Sequence, residues 1–460
     1  MKALLFLFIS PAALWAQNGS IDLTRLHNYA NQAKPAYITK DNTPAGNPIT
    51  DIGATLGRIL FYDKRLSRNN TISCSSCHHQ EHAFGDPDVA STGVNGTTGR
   101  HSMRLINARF ANESRFFWDE RAASAEAQAT QPIQDHVEMG FSGSDDDPSL
   151  ADLITRLSMI VEYQVLFTAT YGDPSITEDR LQRALAQFVR SIQSFDSKYD
   201  VGRALAPNDG APFSNFTASE NAGKRIFLAP PNQGGAGCAA CHSPPEFDID
   251  PNSRNNGIVT SLGGGADTTN TKSPSLRDLV SNNGTPHGGF MHDASLNSLS
   301  EVVAHYNSIP AIVPNLDPRL TQPGGPPGPA GDTPQRLNLT ATEQSDLITF
   351  LGTLTGTNVY TDPKWSDPFS VTNELRLIIL PTEQMTITFS GEGEERQATV
   401  STTGVPNFSY QFQSSLTLLD DTWTSVTITA DTNGLLTYTL PAPESEDKYF
   451  YRYAYATETP

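Results

Sequence analysis

The sequence is poor in cysteine and in positive charge. It has 460 residues but only four cysteines, and 31 lysines and arginines stand against 50 aspartates and glutamates, for a formal net charge of −19. This balance argues against nucleic acid as a partner, because proteins that bind nucleic acid need a basic face. A chain of this length is expected to form two or three domains.

Long apolar runs are also missing. No segment reaches the roughly 20 apolar residues that a membrane-spanning helix needs, so we predict no membrane span. The N-terminus carries only a short apolar stretch after Lys2, and Ala16 ends a small-residue cleavage motif. This pattern is typical of an export signal. We therefore expect residues 1–16 to be a signal peptide and the mature protein to be periplasmic or secreted.

The four cysteines lie in two motifs of one form, Cys-Ser-Ser-Cys-His at residues 74–78 and Cys-Ala-Ala-Cys-His at residues 238–242. Such a segment attaches haem c through two thioethers, and its histidine becomes the proximal iron ligand. Cys-x-x-Cys alone is also found in redox dithiols and zinc sites. Because both copies end in histidine and the chain has an export signal, two covalently bound haem c groups are favoured over a four-cysteine zinc site. The predicted attachment residues are Cys74, Cys77, Cys238 and Cys241, and the predicted proximal ligands are His78 and His242.

Helical patterns surround both motifs. Apolar residues recur at helical spacing over 51–61, over 150–171 and over 177–195, with Thr177 as N-cap of the last. Three capping boxes follow, each a serine or threonine three residues before a glutamate, starting at Thr217, Ser298 and Thr340. Gly-x-x-Leu-Phe at residues 57–61 and Gly-x-x-Ile-Phe at 223–227 precede the two motifs at similar distances, which indicates a distant internal duplication.

The pattern changes after about residue 370. Six short segments with strand-like composition, separated by turn residues, predict an all-β sandwich of the immunoglobulin or fibronectin type. The sequence has no cysteine or histidine cluster there, so we expect an accessory module or spacer. The predicted fold is mainly α: a haem lobe over 17–205, a second cytochrome c-like haem lobe over 206–365, and the β-sandwich over 371–460.

The function of such a protein depends on the face of each iron opposite the proximal histidine. An iron with two strong protein ligands transfers electrons, whereas an iron with an open position can bind peroxide. Residues from roughly 50 to 355 resemble the bacterial di-haem cytochrome c peroxidase and MauG superfamily. The matching segments are Leu60 to Ser67, Ile72 to His78, Phe117 to Ser124, Gln128 to Gly140, Ser273 to Arg277 and Phe290 to Asp293.

The resemblance implies a peroxide site at the N-terminal haem. Gln128, Pro132 and Glu138 match its distal pocket, where Glu138 would serve as the acid–base that heterolysis of the O–O bond requires, with Gln128 as hydrogen-bond donor. Trp118 matches the tryptophan between the two haems. Judged by residue type alone, Glu138 would be a solvated carboxylate and Trp118 a core aromatic.

Two departures from the family concern iron ligands. The peroxidases have a displaceable histidine in the loop after the first motif, but Gly-Val-Asn-Gly stands at residues 93–96 here, so we expect a haem that is open without reductive activation. Tyr306 stands where the peroxidases have a methionine ligand to the second haem, as in the MauG branch, and tyrosinate would favour the ferric state. The pattern alone also fits a core tyrosine, with His305 as a rival ligand.

A calcium ion between the lobes is a further expectation from the family. His101 stands where asparagine is usual, and residues 286–289 resemble an insertion, so the ion's ligands are altered.

These inferences predict a di-haem peroxidase that reduces hydrogen peroxide to water. Its electrons would come from an external donor protein such as a small cytochrome or a cupredoxin. One alternative is a MauG-like oxidase that uses peroxide to modify residues of a partner protein, which Tyr306 and the missing loop histidine favour. The other is an electron-transfer cytochrome in which both irons are closed.

Overall fold

The computed structural model describes residues 19–322, 333–380, 385–416, 423–442 and 450–455. The expected signal peptide, residues 1–16, lies outside these ranges. None of the described helices is both long and apolar enough to cross a membrane.

The described residues form nine α-helices. Short 3₁₀ turns at Cys74–Ser76 and Cys238–Ala240 carry the two cysteine motifs. The helices are α1 Asp51–Tyr62, α2 Ala125–Ala129, α3 Leu150–Ser158, α4 Val161–Tyr171, α5 Glu178–Ser191, α6 Lys198–Leu205, α7 Ala218–Leu228, α8 Leu299–Asn307 and α9 Ala341–Gly352.

Each cysteine motif follows a helix that crosses a partner helix at a glycine. A Cβ at Gly57 of α1 would lie 1.9 Å from the Ala184 carbonyl oxygen of α5. A Cβ at Gly223 of α7 would lie 1.9 Å from the Asp346 carbonyl oxygen of α9. Only glycine allows backbones to approach this closely, so the two glycines of the repeated sequence pattern mark the same helix crossing in both halves.

The sequence predicts most helix starts correctly. Thr177, Thr217 and Thr340 cap α5, α7 and α9, and the last two form reciprocal capping boxes with Glu220 and Glu343. Ser298 also caps α8, but Glu301 accepts a hydrogen bond from the backbone N–H of Asn297 instead of closing the box.

Two predicted helix boundaries are wrong. The single helix expected over 150–171 is interrupted at Met159 and Ile160, because the buried stripe of α3 does not continue in phase into Leu166 and Phe167 of α4. A continuous helix would bury Val161, which is 64% exposed instead. The helix expected to run to residue 195 ends at Ser191, and the backbone becomes extended at the next residue.

Fourteen short strands are present among the described residues. The longest, β9 to β14, lie beyond residue 385 and coincide with the six predicted strand segments. The strands are β1 Ser20–Asp22, β2 Thr92–Gly93, β3 Gly96–Thr97, β4 His242–Ser243, β5 Asp248–Ile249, β6 Thr321–Gln322, β7 Thr333–Pro334, β8 Arg376–Ile378, β9 Thr386–Ser390, β10 Gln397–Thr403, β11 Ser409–Ser415, β12 Thr424–Thr429, β13 Leu435–Pro441 and β14 Phe450–Tyr455.

The C-terminal strands form two three-stranded antiparallel sheets, in the orders β13-β10-β9 and β12-β11-β14. The sheets face each other where the rings of Phe412 and Tyr438 meet, with centroids 5.0 Å apart. This module contacts the N-terminal half, because Asn407 donates a hydrogen bond to the Ala169 carbonyl and β8 pairs in parallel with β1. Its immunoglobulin or fibronectin type stays a prediction.

Two large hydrophobic cores account for the helical part of the described chain. The first runs from Leu23 to Ile192 and also takes in Trp365, and the second runs from Tyr199 to Leu354. The chain after α9 therefore returns to the first core. The domain boundaries drawn from the sequence stay a prediction.

Candidate active site

Each cysteine motif lines its own cavity. The first cavity, of about 670 Å³, is bordered by Cys74, Cys77 and His78. The second, of about 380 Å³, is bordered by the second motif and by Tyr306. The remaining sequence-predicted residues of the peroxide site, Gln128, Pro132 and Glu138, all line the first cavity, and Trp118 lines both.

The alternative of one zinc site built from four cysteines is excluded by this arrangement. The two cysteine pairs lie in separate cavities, and the described residues contain no group of three or more His, Cys, Asp or Glu side chains placed to hold a metal ion.

His78 is held in the form that a metal ligand requires. Its Nδ1 lies 3.0 Å from the carbonyl oxygen of Phe84, in a turn where Ala83 and Phe84 both have positive φ. A proton on Nδ1 satisfies this bond and leaves the Nε2 lone pair available. Burial lowers the pKa of His78, which keeps the ring neutral.

His242 takes the equivalent position in the second cavity, with one difference. Its buried Nδ1 has no hydrogen-bond partner within the described ranges. Burial, helped by the charge of Arg319, lowers the pKa of His242 to about 4. The ring is therefore neutral and available as a ligand, but its tautomer is not fixed by a carbonyl as in His78.

Glu138 faces the first cavity from the loop between α2 and α3. Burial and the nearby charge of Asp135 raise the pKa of Glu138 from 4.5 to about 7, against a smaller opposing effect of Arg121. Its carboxylate accepts no hydrogen bond from the described residues, so it is available to accept one from a molecule inside the cavity. A carboxyl that titrates near neutral pH can both accept and return a proton.

We expect Glu138→Gln to stabilise the protein above pH 7 and to leave it unchanged near pH 4. Because the folded-state pKa is raised, the contribution of this carboxyl to stability is fully present below about pH 4.5 and is lost as the pH rises through about 7. The shift corresponds to on the order of 3 kcal/mol at pH 9. Thermal unfolding of both proteins across this range measures the difference, and equal stability at every pH would contradict it.

Gln128 and Pro132 complete the side of the cavity that carries Glu138. Gln128 lies in the short helix α2, which Ser124 caps by accepting a hydrogen bond from the Ala127 N–H. The Gln128 side-chain amide makes no hydrogen bond to any described residue. It is therefore free to donate to a small molecule in the cavity.

The loop at residues 93–96 is fixed against the segment that holds Glu138. Val94 N–H donates to the Glu138 carbonyl at 3.0 Å, and Asn95 N–H donates to the Val137 carbonyl at 3.1 Å. The Asn95 side chain donates to the His136 carbonyl at 2.8 Å and accepts from Arg68 Nη2 at 2.9 Å. A Cβ at Gly93 would lie 2.1 Å from the Val137 carbonyl oxygen, so this close packing requires glycine.

We expect Asn95→Ala to lower kcat for peroxide roughly tenfold, the equivalent of about 1.4 kcal/mol, with little change in KM. The substitution removes two side-chain hydrogen bonds that fix the backbone beside Glu138. Steady-state kinetics checks this. Asn69→Ala is the matched control, because Asn69 bonds only to Thr71 nearby. Equal loss in both variants would show that Asn95 does not position Glu138.

Trp118 forms part of the wall between the cavities. Its indole Nε1 donates to the His101 carbonyl at 2.7 Å, and its own carbonyl accepts from the backbone N–H groups of Thr271 and Lys272 at 2.8 and 3.0 Å. Its ring lies edge-on to His292, with centroids 6.3 Å apart. Contacts with both halves of the chain thus fix the ring where it borders both cavities.

Tyr306 and His305 point in different directions from α8. Tyr306 borders the second cavity, whereas the His305 Nε2 bonds to the Asn256 carbonyl at 2.9 Å and His305 does not border it. Burial raises the pKa of Tyr306. The phenol is therefore protonated until a cation compensates its charge.

Three residues that the sequence does not single out also line the second cavity: Met291, Arg104 and Lys272. The Met291 sulfur accepts a hydrogen bond from Asn256 at 3.0 Å. Met291 belongs to the family-like segment at residues 290–293, which is the only sequence signal for it. No sequence signal points to Arg104 or Lys272.

Comparisons with known proteins find relatives of this chain in a di-haem family. A family model described as di-haem cytochrome c peroxidase matches residues 52–205. The methylamine utilization protein MauG of Methylophilus methylotrophus is 32% identical over 323 residues, which cover 68% of this chain and 85% of that protein. A cytochrome-c peroxidase of Denitromonas iodatirespirans is 28% identical over 362 residues, covering 70% of this chain and 86% of that protein.

A solved structure with similar architecture is a MauG-like protein associated with microbial copper homeostasis. It has a TM-score of 0.56 and 28% identity, and the alignment covers 74% of this chain and 99% of that one. The matching part excludes about a quarter of the present chain.

Proposed function

We propose, from the premise that this chain belongs to the di-haem cytochrome c peroxidase and MauG family and is a peroxidase-type oxidoreductase, that its first cavity is where hydrogen peroxide is reduced to water. The observation that carries the proposal is the partly buried Glu138, which lines the same cavity as Cys74, Cys77 and His78 and has its pKa raised to about 7.

The family uses haem, and the residues of both cavities fit that group. His78 offers a free Nε2 because its Nδ1 is bonded to a carbonyl, and the motif thiols border the same space. Haem, when bound, supplies the redox chemistry and an iron position open to a small oxidant. Covalent attachment would use Cys74 and Cys77 in the first lobe, and Cys238 and Cys241 with the ligand His242 in the second.

Glu138 would move the proton. In its ionised form it accepts a proton from one oxygen of peroxide, and in its protonated form it returns that proton to the other oxygen. Gln128 would orient the peroxide by donating a hydrogen bond, and Pro132 would help to keep water from the cavity. A pKa near 7 suits both halves of this exchange.

The second lobe would supply or share electrons through Trp118, which borders both cavities. Tyr306 would be the second ligand of the haem on His242. This is supported by its position in the second cavity and by the engagement of His305 with Asn256.

An external protein, such as a small cytochrome or a cupredoxin, would donate the electrons.

This chain would function in the periplasm or be secreted, since residues 1–16 have the pattern of an export signal. The lobes would be cytochrome c-like, and the C-terminal sheets would serve as an accessory sandwich. Calcium between the lobes stays an expectation from the family, because backbone carbonyls and water can serve as calcium ligands even where the side chains are altered.

A MauG-like oxidase is the second candidate, and Tyr306 in the second cavity is the observation that favours it. The two are distinguished by adding peroxide to the oxidised protein without a donor. The peroxidase consumes peroxide continuously only when reduced donor is present. The oxidase instead gives a long-lived altered spectrum that decays when a partner protein is added. If the protein neither consumes peroxide nor changes its spectrum, both proposals fail and an electron carrier remains.

A further inference from the structure

The wall between the two cavities is cationic. Arg104 and Lys272 each border both cavities. The whole chain has a net charge of −19, yet neither residue forms an ion pair with a carboxylate among the described residues. Acidic residues act on both cations from a distance, but neither cation is in ion-pair contact, so both can bind an anion inside the cavities.

Arg104 is partly buried and makes few hydrogen bonds. One Nη2 contact reaches the Ser275 carbonyl at 3.5 Å, and the buried Nε has no partner within the described ranges. Burial lowers the pKa of Arg104 to about 10, against the opposing charges of Asp278 and Tyr360. Its side chain packs over Gly85, where a Cβ would lie 2.9 Å from the Arg104 Cγ.

Asp278 is the acidic residue whose charge acts most on Arg104, but the two side chains form no ion pair among the described residues. Its Oδ1 accepts hydrogen bonds from the Tyr360 hydroxyl at 2.6 Å and from the Gly356 N–H at 2.8 Å. Burial raises the pKa of Asp278. Its Oδ2 is buried without a hydrogen-bond partner within the described ranges, so only one of its two oxygens is engaged by Tyr360 and Gly356.

Two fully buried arginines of this chain each form a two-pronged ion pair with a carboxylate. Arg277 places two nitrogens on Asp200 at 2.8 and 3.0 Å. Arg190 places two on Glu126 at 2.5 and 2.9 Å. Arg104 has no such fork, and its guanidinium borders both cavities, where a carboxylate can bind it with the same two-pronged geometry.

Lys272 is the second cation of the wall. Its Nζ reaches only the Glu113 carbonyl at 3.5 Å and lies 5.2 Å from the centre of the Phe116 ring. Burial lowers its pKa, and the charges of Glu113, Glu120 and Asp248 oppose this effect without forming an ion pair with it. Its backbone N–H bonds to the Trp118 carbonyl at 3.0 Å, which fixes the residue to the wall.

We propose that this wall is a carboxylate-binding site in which Arg104 and Lys272 pair with propionate groups of the haems in both cavities. The inference rests on the proposed function only in requiring haem in both cavities. Haem carries propionates that need cationic partners, and the planar fork of arginine matches a carboxylate. A positive charge shared in this way favours the reduced state of both haems and couples their potentials.

The test uses the haem-loaded protein in the absence of peroxide. Spectroelectrochemical titration gives the midpoint potential of each haem, and resonance Raman spectra report the propionate bending bands. We expect Arg104→Gln to lower both potentials and to shift the bands, Arg104→Lys to retain most of the wild-type behaviour, and Lys272→Gln to lower the potentials in the same direction. Arg109→Gln is the control of equal charge, because Arg109 pairs with Asp41 and borders neither cavity.

Unchanged potentials and bands in Arg104→Gln and Lys272→Gln would overturn the proposal. A change at one haem only would overturn the shared site. An equal shift in Arg109→Gln would show a general charge effect and overturn it too. Haem content and circular dichroism confirm that each variant is folded, and the milder Arg104→Lys and Lys272→Gln keep the test available if Arg104→Gln does not fold. None of these readouts depends on turnover. A protein that shows the shifts but does not turn over peroxide would therefore contradict the peroxidase proposal and leave the carboxylate-binding proposal intact.

Discussion

Replacing Glu138 by glutamine removes most peroxide turnover while the protein stays folded and keeps both haems. We expect a loss of roughly 10²–10⁴-fold in kcat, the usual contribution of a positioned acid–base group. Glutamine has nearly the same shape and still borders the cavity, but it can neither take nor return a proton. Initial rates of peroxide consumption at neutral pH, normalised to haem content, measure the effect.

The matched control is Glu81→Gln, because Glu81 is an exposed glutamate of the same lobe that does not border the cavity. Its turnover should equal that of the wild type. If Glu138→Gln retains full turnover, the acid–base assignment is wrong, and the raised pKa of Glu138 is then only a consequence of burial.

We expect replacement of Tyr306, the proposed ligand of the second haem, by methionine to raise the midpoint potential of that haem. A phenolate stabilises the ferric state, whereas a thioether favours the ferrous state. Axial ligands span about 0.8 V in haem proteins, so we expect a rise on the order of a few tenths of a volt. Spectroelectrochemical titration of the two haems provides the measurement, and the potential of the first haem should change little.

Two further variants separate Tyr306 from its neighbours. His305→Gln should leave the second potential nearly unchanged, because the His305 ring is engaged with the Asn256 carbonyl. Met291→Leu should also have little effect if Tyr306 is the ligand, although the Met291 sulfur borders the same cavity. A large shift in either variant together with an unchanged Tyr306→Met would move the ligand assignment to that residue.

Features that depend on neighbours along the chain could be predicted from the sequence. The caps of α5, α7 and α9 follow from a side chain and a backbone N–H three residues apart. The motifs at residues 74–78 and 238–242 contain attachment residues and ligand within five positions. The break between α3 and α4 was missed, because it depends on the surface that each helix meets.

The site was predictable only as a set of candidates. Glu138 and Trp118 were chosen by resemblance to a family, and by residue type alone they would be a surface carboxylate and a core aromatic. The tertiary structure puts Glu138 in a cavity, which raises its pKa to about 7, and puts Trp118 against both cavities. Neither property is encoded within a short segment.

The sequence by itself determined the haem-type motifs, the paired glycine-containing helices and the β-strands beyond residue 385, because these depend on residue type and short spacing. Only the tertiary structure decided that Tyr306 and not His305 borders the second cavity. It also decided that Arg104 and Lys272 each border both cavities without an ion-pair contact within the described ranges. The physical reason is that burial, charge compensation and cavity shape arise from contacts between segments far apart in the chain, such as Ser275 beside Arg104.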